Sequence, residues 1–153
     1  MKEVKAKHYI DTTIHSVDIA IRTLKYKLKQ KIDSLNIGIT SEQFVVLDTI
    51  DCHNGIYQQQ LSDILMKDGS NTTRIIKVLI EKGLITKEVG QTNNRLIYKL
   101  NITEQGKHLV TENMPKIKKY ITELFENITD EEIDILHSLS KKFQGDLLSN
   151  LEQ

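Results

Sequence analysis

Ser70, Asn71, Thr73, Arg74 and Lys77 fall within one octet of the chain. Their types suit contact with a polyanion. Small hydroxyls let a backbone approach closely, and free N–H groups at a helix start favour phosphate. A guanidinium such as that of Arg74 can bond guanine through two parallel hydrogen bonds, and an ammonium such as that of Lys77 meets phosphate as a point charge. At about 100° per residue, setting Ile75 at zero puts Thr72, Ile76 and Leu79 on the same side. Ser70, Thr73, Arg74, Lys77 and Glu81 fall opposite. Any surface helix has a polar face, so the octet gains weight from its downstream neighbours. Lys87, Asn93, Asn94 and Arg95 lie in a stretch rich in turn-formers. Amides and Arg at a loop tip reach minor-groove acceptors; the bland alternative is a solvated turn.

Other chemistries find less support. Gly-x-Ser-x-Gly, Walker A, GxGxxG and HExxH patterns are absent from the sequence. The expectation is a protein that is not an enzyme and needs no cofactor. His8, His15, His53, His108 and His137 are scattered without metal-ligand spacing, so no metal is expected. Cys52 is the single thiol, which excludes a disulfide within one chain. A redox role for Cys52 needs a stabilised thiolate, and both the adjacent Asp51 and a helix C-terminus disfavour one. It reads as a packed or incidental cysteine.

The charges must be placed before they mean anything. The 153 residues carry 21 bases and 21 acids, a net charge of zero that argues against a polyanionic partner at first sight. The distribution is uneven. Residues 32–66 hold five acids and no base, whereas residues 67–100 hold seven bases and three acids. Residues 1–31 are also basic and residues 101–153 acidic. A polyanion senses charge within a Debye length of about 8 Å, so segment charge is what counts. With 39% hydrophobic and 27% charged residues the composition is that of a globular domain. No apolar run approaches the roughly 20 residues of a membrane span, and no apolar leader opens the chain, so a cytoplasmic location with no membrane partner is expected.

Several elements must position these residues. Ile10, Ile14, Val17, Ile21, Leu24, Leu28, Ile32 and Leu35 form a near-heptad seam on one helix over 8–34. Thr40-Ser41-Glu42-Gln43 is a capping box for a helix over about 41–52. A third helix spans about 57–66, Lys67-Asp68-Gly69 is a turn, and Ser70 opens a fourth helix that Gly83 stops. Leu84–Val89 and Arg95–Leu100 are β-rich runs joined by turn-formers from Gly90 to Asn94, hence a hairpin. Thr103 caps a fifth helix that Pro115 should kink or restart. Thr129-Asp130-Glu131-Glu132 begins a last helix with Ile133, Leu136, Leu139, Phe143 and Leu147 on one stripe. The fold class is mainly α (α+β): a winged helix-turn-helix with a two-stranded wing, flanked by N- and C-terminal helices.

The run Leu65-Met66-Lys67-Asp68-Gly69-Ser70-Asn71-Thr72-Thr73-Arg74, with Leu79-Ile80-Glu81-Lys82-Gly83-Leu84-Ile85 after it, resembles the recognition-helix signature of MarR-family transcriptional regulators. Ile102-Thr103-Glu104-Gln105-Gly106-Lys107 is similar to the segment just past the family's wing, and Thr40–Leu47 is similar to its second-helix opening. The likeness covers nearly the whole chain in order. The wing departs from the pattern. No Asp stands in Asn93-Asn94-Arg95, Arg95 lies eight residues before Thr103, further than the family places it, and Lys87 stands where many members have Arg.

The resemblance implies a two-fold homodimer built from residues 1–35 and 103–153, with a DNA-binding domain at 36–102. It implies recognition helices in successive major grooves of a pseudo-palindromic double-stranded operator. Ser70, Asn71, Thr73, Arg74 and Lys77 would read the major groove, and Lys87, Asn93, Asn94 and Arg95 would serve the wing. It further implies a repressor released by a small-molecule effector, with Tyr9, Tyr26 and Phe44 as candidates to line a cleft. Two alternatives stand beside this. One is an activator or anti-silencer on AT-rich DNA, and the other a helical adaptor that has lost DNA binding.

Overall fold

A computed structural model of the chain describes residues 7–92 and 95–149. These divide into two compact units, one reaching Lys118 and one beginning at Lys119.

The first unit opens with a 3-10 turn at Tyr9–Asp11, then α1 (Thr13–Ser34). The helix starts later than the apolar spacing suggests. Thr12 has extended backbone and its hydroxyl accepts from the His15 N–H at 3.2 Å, so the cap sets the boundary. The α1 seam is graded along its length. Ile10, Ile14, Val17 and Ile21 are exposed, Leu24 and Leu28 are half-buried, and Ile32 is buried.

In α2 (Ser41–Cys52) the expected capping box forms: Thr40 Oγ1 accepts from the Gln43 N–H at 3.3 Å and Gln43 Oε1 from the Thr40 N–H at 2.9 Å. Phe44, Val46, Leu47 and Ile50 of this helix are buried, forming the centre of the core. The core also takes Ile56, Leu61, Ile75, Ile76, Leu79, Leu84, Leu100 and Val110. A side chain such as Leu47, fully removed from water, contributes roughly 1.5–3 kcal/mol through burial.

After α2 the chain makes a short strand β1 (Ile56–Tyr57), α3 (Gln58–Leu65) and α4 (Gly69–Glu81). Met66 closes α3 in the left-handed region at φ 49°. Gly83, at φ 69°, ends α4 in the conformation that an L side chain resists, as the sequence indicates. β2 (Ile85–Thr92) and β3 (Arg95–Ile102) pair antiparallel from Ile85↔Ile102 to Thr92↔Arg95. The hairpin strands therefore run through Gly90, Gln91 and Thr92, which turn-forming composition assigns to the loop. Gly90 permits this, because a Cβ there would lie 3.2 Å from Ile97 Cγ1. Beside the two wing strands the sheet takes a third, in the order β1-β3-β2, with Ile56 opposite Leu100. A two-residue strand carries too short a pattern to register in sequence.

α5 (Glu104–Leu124) runs unbroken through Pro115. The sequence predicts a kink or restart there, because Pro removes an N–H and crowds the preceding turn. Burial of Val110, Asn113 and Ile117 on either side of the proline holds the helix together. Asn113 braces the same turn, with Nδ2 donating to the Leu109 carbonyl at 2.9 Å and Oδ1 accepting from Lys116 Nζ at 3.1 Å.

The second unit takes up the end of α5 and adds α6 (Asp130–Ser149). Its capping box is reciprocal, Thr129 Oγ1 accepting from the Glu132 N–H at 3.2 Å and Glu132 Oε2 from the Thr129 N–H at 2.9 Å. Ile135, Leu136, Leu139, Phe143 and Leu147 along α6 are all at least half exposed.

Candidate nucleic-acid interface

The face of α4 is set by what its other side buries. Thr72, Ile75, Ile76 and Leu79 are buried, as the helical angles predict. Ser70, Thr73, Arg74 and Lys77 are exposed and Asn71 is half-buried. The structure thus brings four of the five major-groove candidates to one solvent face of one helix. Arg74 Nη2 stands 3.5 Å from Asn71 Oδ1, and Lys77 Nζ stands 3.9 Å from Glu81 Oε1 one turn later. Both are exposed contacts of small energy, so the two cations are free to exchange them for phosphate or base edges.

The start of α4 differs from the expectation of open N–H groups. Asp68 caps the helix, its Oδ1 accepting from the Asn71 N–H at 2.8 Å and from the Ser70 hydroxyl at 2.5 Å. These hydrogen bonds, the Ser70 hydroxyl first and the Asn71 N–H second, hold the Asp68 carboxyl below the ordinary aspartate range. A carboxylate therefore already occupies the positive end of the helix. Of the N–H groups expected to stand open at this helix start, that of Asn71 is already taken by Asp68. The signal was present in the sequence, since Asp one residue before a Gly-Ser-Asn start is a strong N-cap.

Sequence reasoning also missed Gln58. Its Nε2 donates to Thr73 Oγ1 at 2.8 Å, linking the first residue of α3 to the outer face of α4. The two residues are fifteen apart, so no local pattern announces the contact. Gln58 Oε1 is buried without a hydrogen-bond partner among the described residues. Such an acceptor costs about 1–3 kcal/mol. Lys67, in the turn between α3 and α4, pairs with Glu42 Oε1 of α2 at 3.1 Å and is half-buried.

The wing is described through its strands. Asn93 and Asn94 lie outside the described residues, and for Arg95 only the backbone is described, paired with Thr92. Lys87 is half-buried with its ammonium 3.6 Å from the centre of the Tyr98 ring. That arrangement fixes the cation by a cation–π contact.

The three aromatic candidates do not come together. Phe44 is 2% exposed and is a core residue, whereas Tyr9 and Tyr26 are 62% and 59% exposed. Tyr9 stacks edge-on to His15 and Tyr26 accepts from Gln30 Nε2 at 2.9 Å. Cys52 is exposed at the end of α2, so of its two expected roles, packed or incidental, it does not fill the first. Its place in the last turn turns it to solvent.

Two segments singled out by motif form one junction. Thr103 Oγ1 donates to the Gly83 carbonyl at 2.7 Å and accepts from the Gly106 N–H at 3.1 Å. The Thr103 N–H donates to the Leu84 carbonyl at 3.1 Å. Gly106 packs against the same Leu84 carbonyl so closely that a Cβ would collide with it. This junction ties the end of α4 to the start of α5 and so holds α4 against the core.

A sequence model of the MarR family matches residues 39–97, the segment that holds α2, α3, α4 and most of the hairpin. The chain also superposes over 95% of its length on 94% of a MarR protein from Peptoclostridium difficile, with a TM-score of 0.79 and 24% identity. Residues 39–97 are thus similar to the MarR family, and the fold of the chain is that of MarR proteins. The chain is 28% identical over 137 residues to the HTH-type transcriptional regulator YsmB of Bacillus subtilis (strain 168), a match that spans 87% of this chain and 93% of that protein. A mutant MarR from E. coli, solved in complex with operator DNA, shares the fold with a TM-score of 0.72 and 24% identity, over 90% of this chain and 99% of that one. MarR proteins are transcriptional regulators and not enzymes, and the winged helix-turn-helix is the family's fold. No helix among the described residues of this chain is long and apolar enough to cross a membrane.

Proposed function

We propose that this chain is a MarR-type, homodimeric, sequence-specific DNA-binding transcriptional regulator, a repressor released by a small-molecule effector. The observation that carries the reading is the outer face of α4. Thr73, Arg74 and Lys77 stand exposed on a helix whose opposite face is locked in the core. A helix of that kind fits the major groove, where Arg74 reads guanine and Lys77 meets phosphate. Ser70, Asn71 and Thr73 contribute oxygens at closer approach. Asn93, Asn94 and Arg95 enter the minor groove and Lys87 backs the neighbouring phosphates. The related E. coli protein held on operator DNA supports this use of the fold.

The homodimer is supported by apolar surface that one copy leaves uncovered. Ile10 of the seam is 66% exposed, and Leu139 and Phe143 of α6 are 58% and 50% exposed. Segments 1–35 and 103–153 serve assembly and 36–102 serves reading. A dimer seated on two half-sites, one turn apart, obstructs other proteins on the same DNA, which gives repression. The effector would act by changing the spacing of the two reading heads. Tyr9 and Tyr26 are the candidate aromatics open to such a ligand, while Phe44 is not. A protein with this task works with the DNA in the cytoplasm.

Fluorescence anisotropy on a labelled mixed-sequence duplex tests the class of function. Counterion release from roughly six phosphate contacts per dimer predicts an affinity about 10³-fold lower at 200 mM than at 50 mM salt. Absence of binding at low salt, or binding indifferent to salt, would instead support the helical adaptor.

A further inference from the structure

The β2–β3 hairpin carries apolar surface where a solvated wing needs none. Side chains directly opposite one another in a sheet share a face, as do those two apart on one strand. Val89 stands opposite Tyr98, and Lys87 opposite Leu100. Lys87, Val89, Leu96, Tyr98 and Leu100 therefore lie on one face of the ribbon. Leu100 anchors that face in the core, and the Lys87 ammonium rests 3.6 Å from the centre of the Tyr98 ring. Further out, Val89 and Leu96 are each 65% exposed.

The charges around this pair say what it fits. Residues 85–102 hold three bases, Lys87, Arg95 and Lys99, and a single acid, Glu88. Glu88 stands opposite Lys99 on the other face of the ribbon, where its Oε1 accepts from Asn101 Nδ2 at 3.0 Å. The apolar pair thus shares its face with the cation of Lys87 and not with the hairpin's carboxylate, and Arg95 adjoins Leu96 in the chain. A neutral apolar partner calls for no such cations. A surface with an anionic rim and apolar walls does, and the minor groove of DNA is one, its phosphates standing above deoxyribose C–H. An anionic lipid surface has a similar make-up, but it needs the apolar area of an amphipathic helix or an acyl chain, far more than two side chains.

We infer that Val89 and Leu96 form an apolar edge of the wing that packs against deoxyribose in the minor groove, beside the phosphate contact of Lys87. The inference rests on the DNA-binding reading given above and deepens it. Apolar burial releases no counterions, so this part of the affinity does not fall with salt as the phosphate contacts do.

The test uses a duplex selected from a random pool by the wild type, with affinity measured from 50 to 200 mM salt. Val89→Thr with Leu96→Thr keeps strand propensity and replaces apolar surface by hydroxyls. Both positions are exposed, so the thermal midpoint and the mass in solution should not change. Affinity should fall about tenfold or more, by the same factor at every salt, leaving the slope of log affinity against log salt as it was. Lys87→Gln should instead flatten that slope, by about two for two copies. Val89→Ile with Leu96→Met, which keeps the apolar surface, should bind as the wild type does. Hydroxyl radicals attack deoxyribose in the minor groove. They should find sugars beside each half-site protected by the wild type and open under saturating double-Thr variant. If the double variant does not fold, each single variant should show part of the same salt-independent loss. Unchanged affinity overturns the inference, and so does a loss that alters the slope, since the pair would then only position cations. A changed mass would assign the face to a second copy of the chain. Binding to phosphatidylglycerol vesicles by the wild type alone, with equal DNA affinity, would assign it to lipid; either result overturns the inference. A wild type that selects and binds no duplex overturns the DNA-binding reading itself.

Discussion

Gly106 shows what a single residue settles in this fold. It sits where α5 meets the backbone of Leu84, and the neighbouring Ile102 Cγ1 would lie 2.9 Å from an added Cβ. Carbonyl and strand cannot retreat without disturbing the Thr103 hydrogen bonds that tie α5 to the end of α4. Gly106→Ala is expected to destabilise the chain by about 1–3 kcal/mol through overpacking, read as a thermal midpoint lowered by roughly 2–4 °C per kcal/mol. An unchanged midpoint would show that the junction has slack. Residue-scale features divide by whether their cause is local. The caps at Thr40 and Thr129 and the stop at Gly83 were legible, because each depends on neighbours within four positions. The link from Gln58 to Thr73 spans fifteen residues and depends on how two helices cross, so no local pattern carried it. Asp68 was legible in principle, yet the turn-forming Lys67-Asp68-Gly69 obscured its role as a cap.

At the scale of elements, α4 was read well because its 3.6-residue period is unambiguous, with four apolar-side residues buried and the polar side open. β1 was missed because two residues carry no period, and α5 was expected to break because propensity alone was weighed against Pro115. Packing of Val110, Asn113 and Ile117 decides that case. α2 carries a titration with a definite sign. Asp48 is half-buried, and burial first, then the like charge of Asp51, raise its carboxyl above the ordinary aspartate range, while Lys118 opposes the shift. A carboxyl raised in the fold contributes stability below its unfolded value, and that contribution is lost as pH rises through the folded value. At neutral pH the ionised Asp48 therefore weighs against α2. Asp48→Asn should stabilise the chain at pH 7, by less than about 1 kcal/mol since solvent screens a half-exposed group, and so raise the thermal midpoint. The gain should vanish in acid, below the ordinary aspartate range. A destabilised variant at pH 7 would mean that the attraction to Lys118 outweighs burial.

For the whole molecule, the zero net charge first weighed against a polyanionic partner, and it proves to be a sum of opposites. The acids of residues 32–66 lie largely on α2 and α3, and the bases of residues 67–100 on α4 and the hairpin. The apolar surface tells a similar story of incompleteness. Leu139 and Phe143 on α6 are at least half exposed in one copy, apolar surface that the proposed dimer would cover. Leu139→Glu together with Phe143→Glu should shift the mass in solution from dimer to monomer and lower DNA affinity by at least about tenfold, as one reading head loses its tether to the other. Sedimentation velocity reads the first outcome and anisotropy the second. A dimer of unchanged mass would move the assembly surface elsewhere. The central claim, that the outer face of α4 reads DNA, is tested most directly through Arg74. Wild type and Arg74→Ala should both melt as folded dimers. On a duplex selected from a random pool by the wild type, the variant should bind about 10- to 100-fold more weakly, the cost of a lost two-pronged contact to guanine. Equal affinity of the two proteins for that duplex would contradict the account.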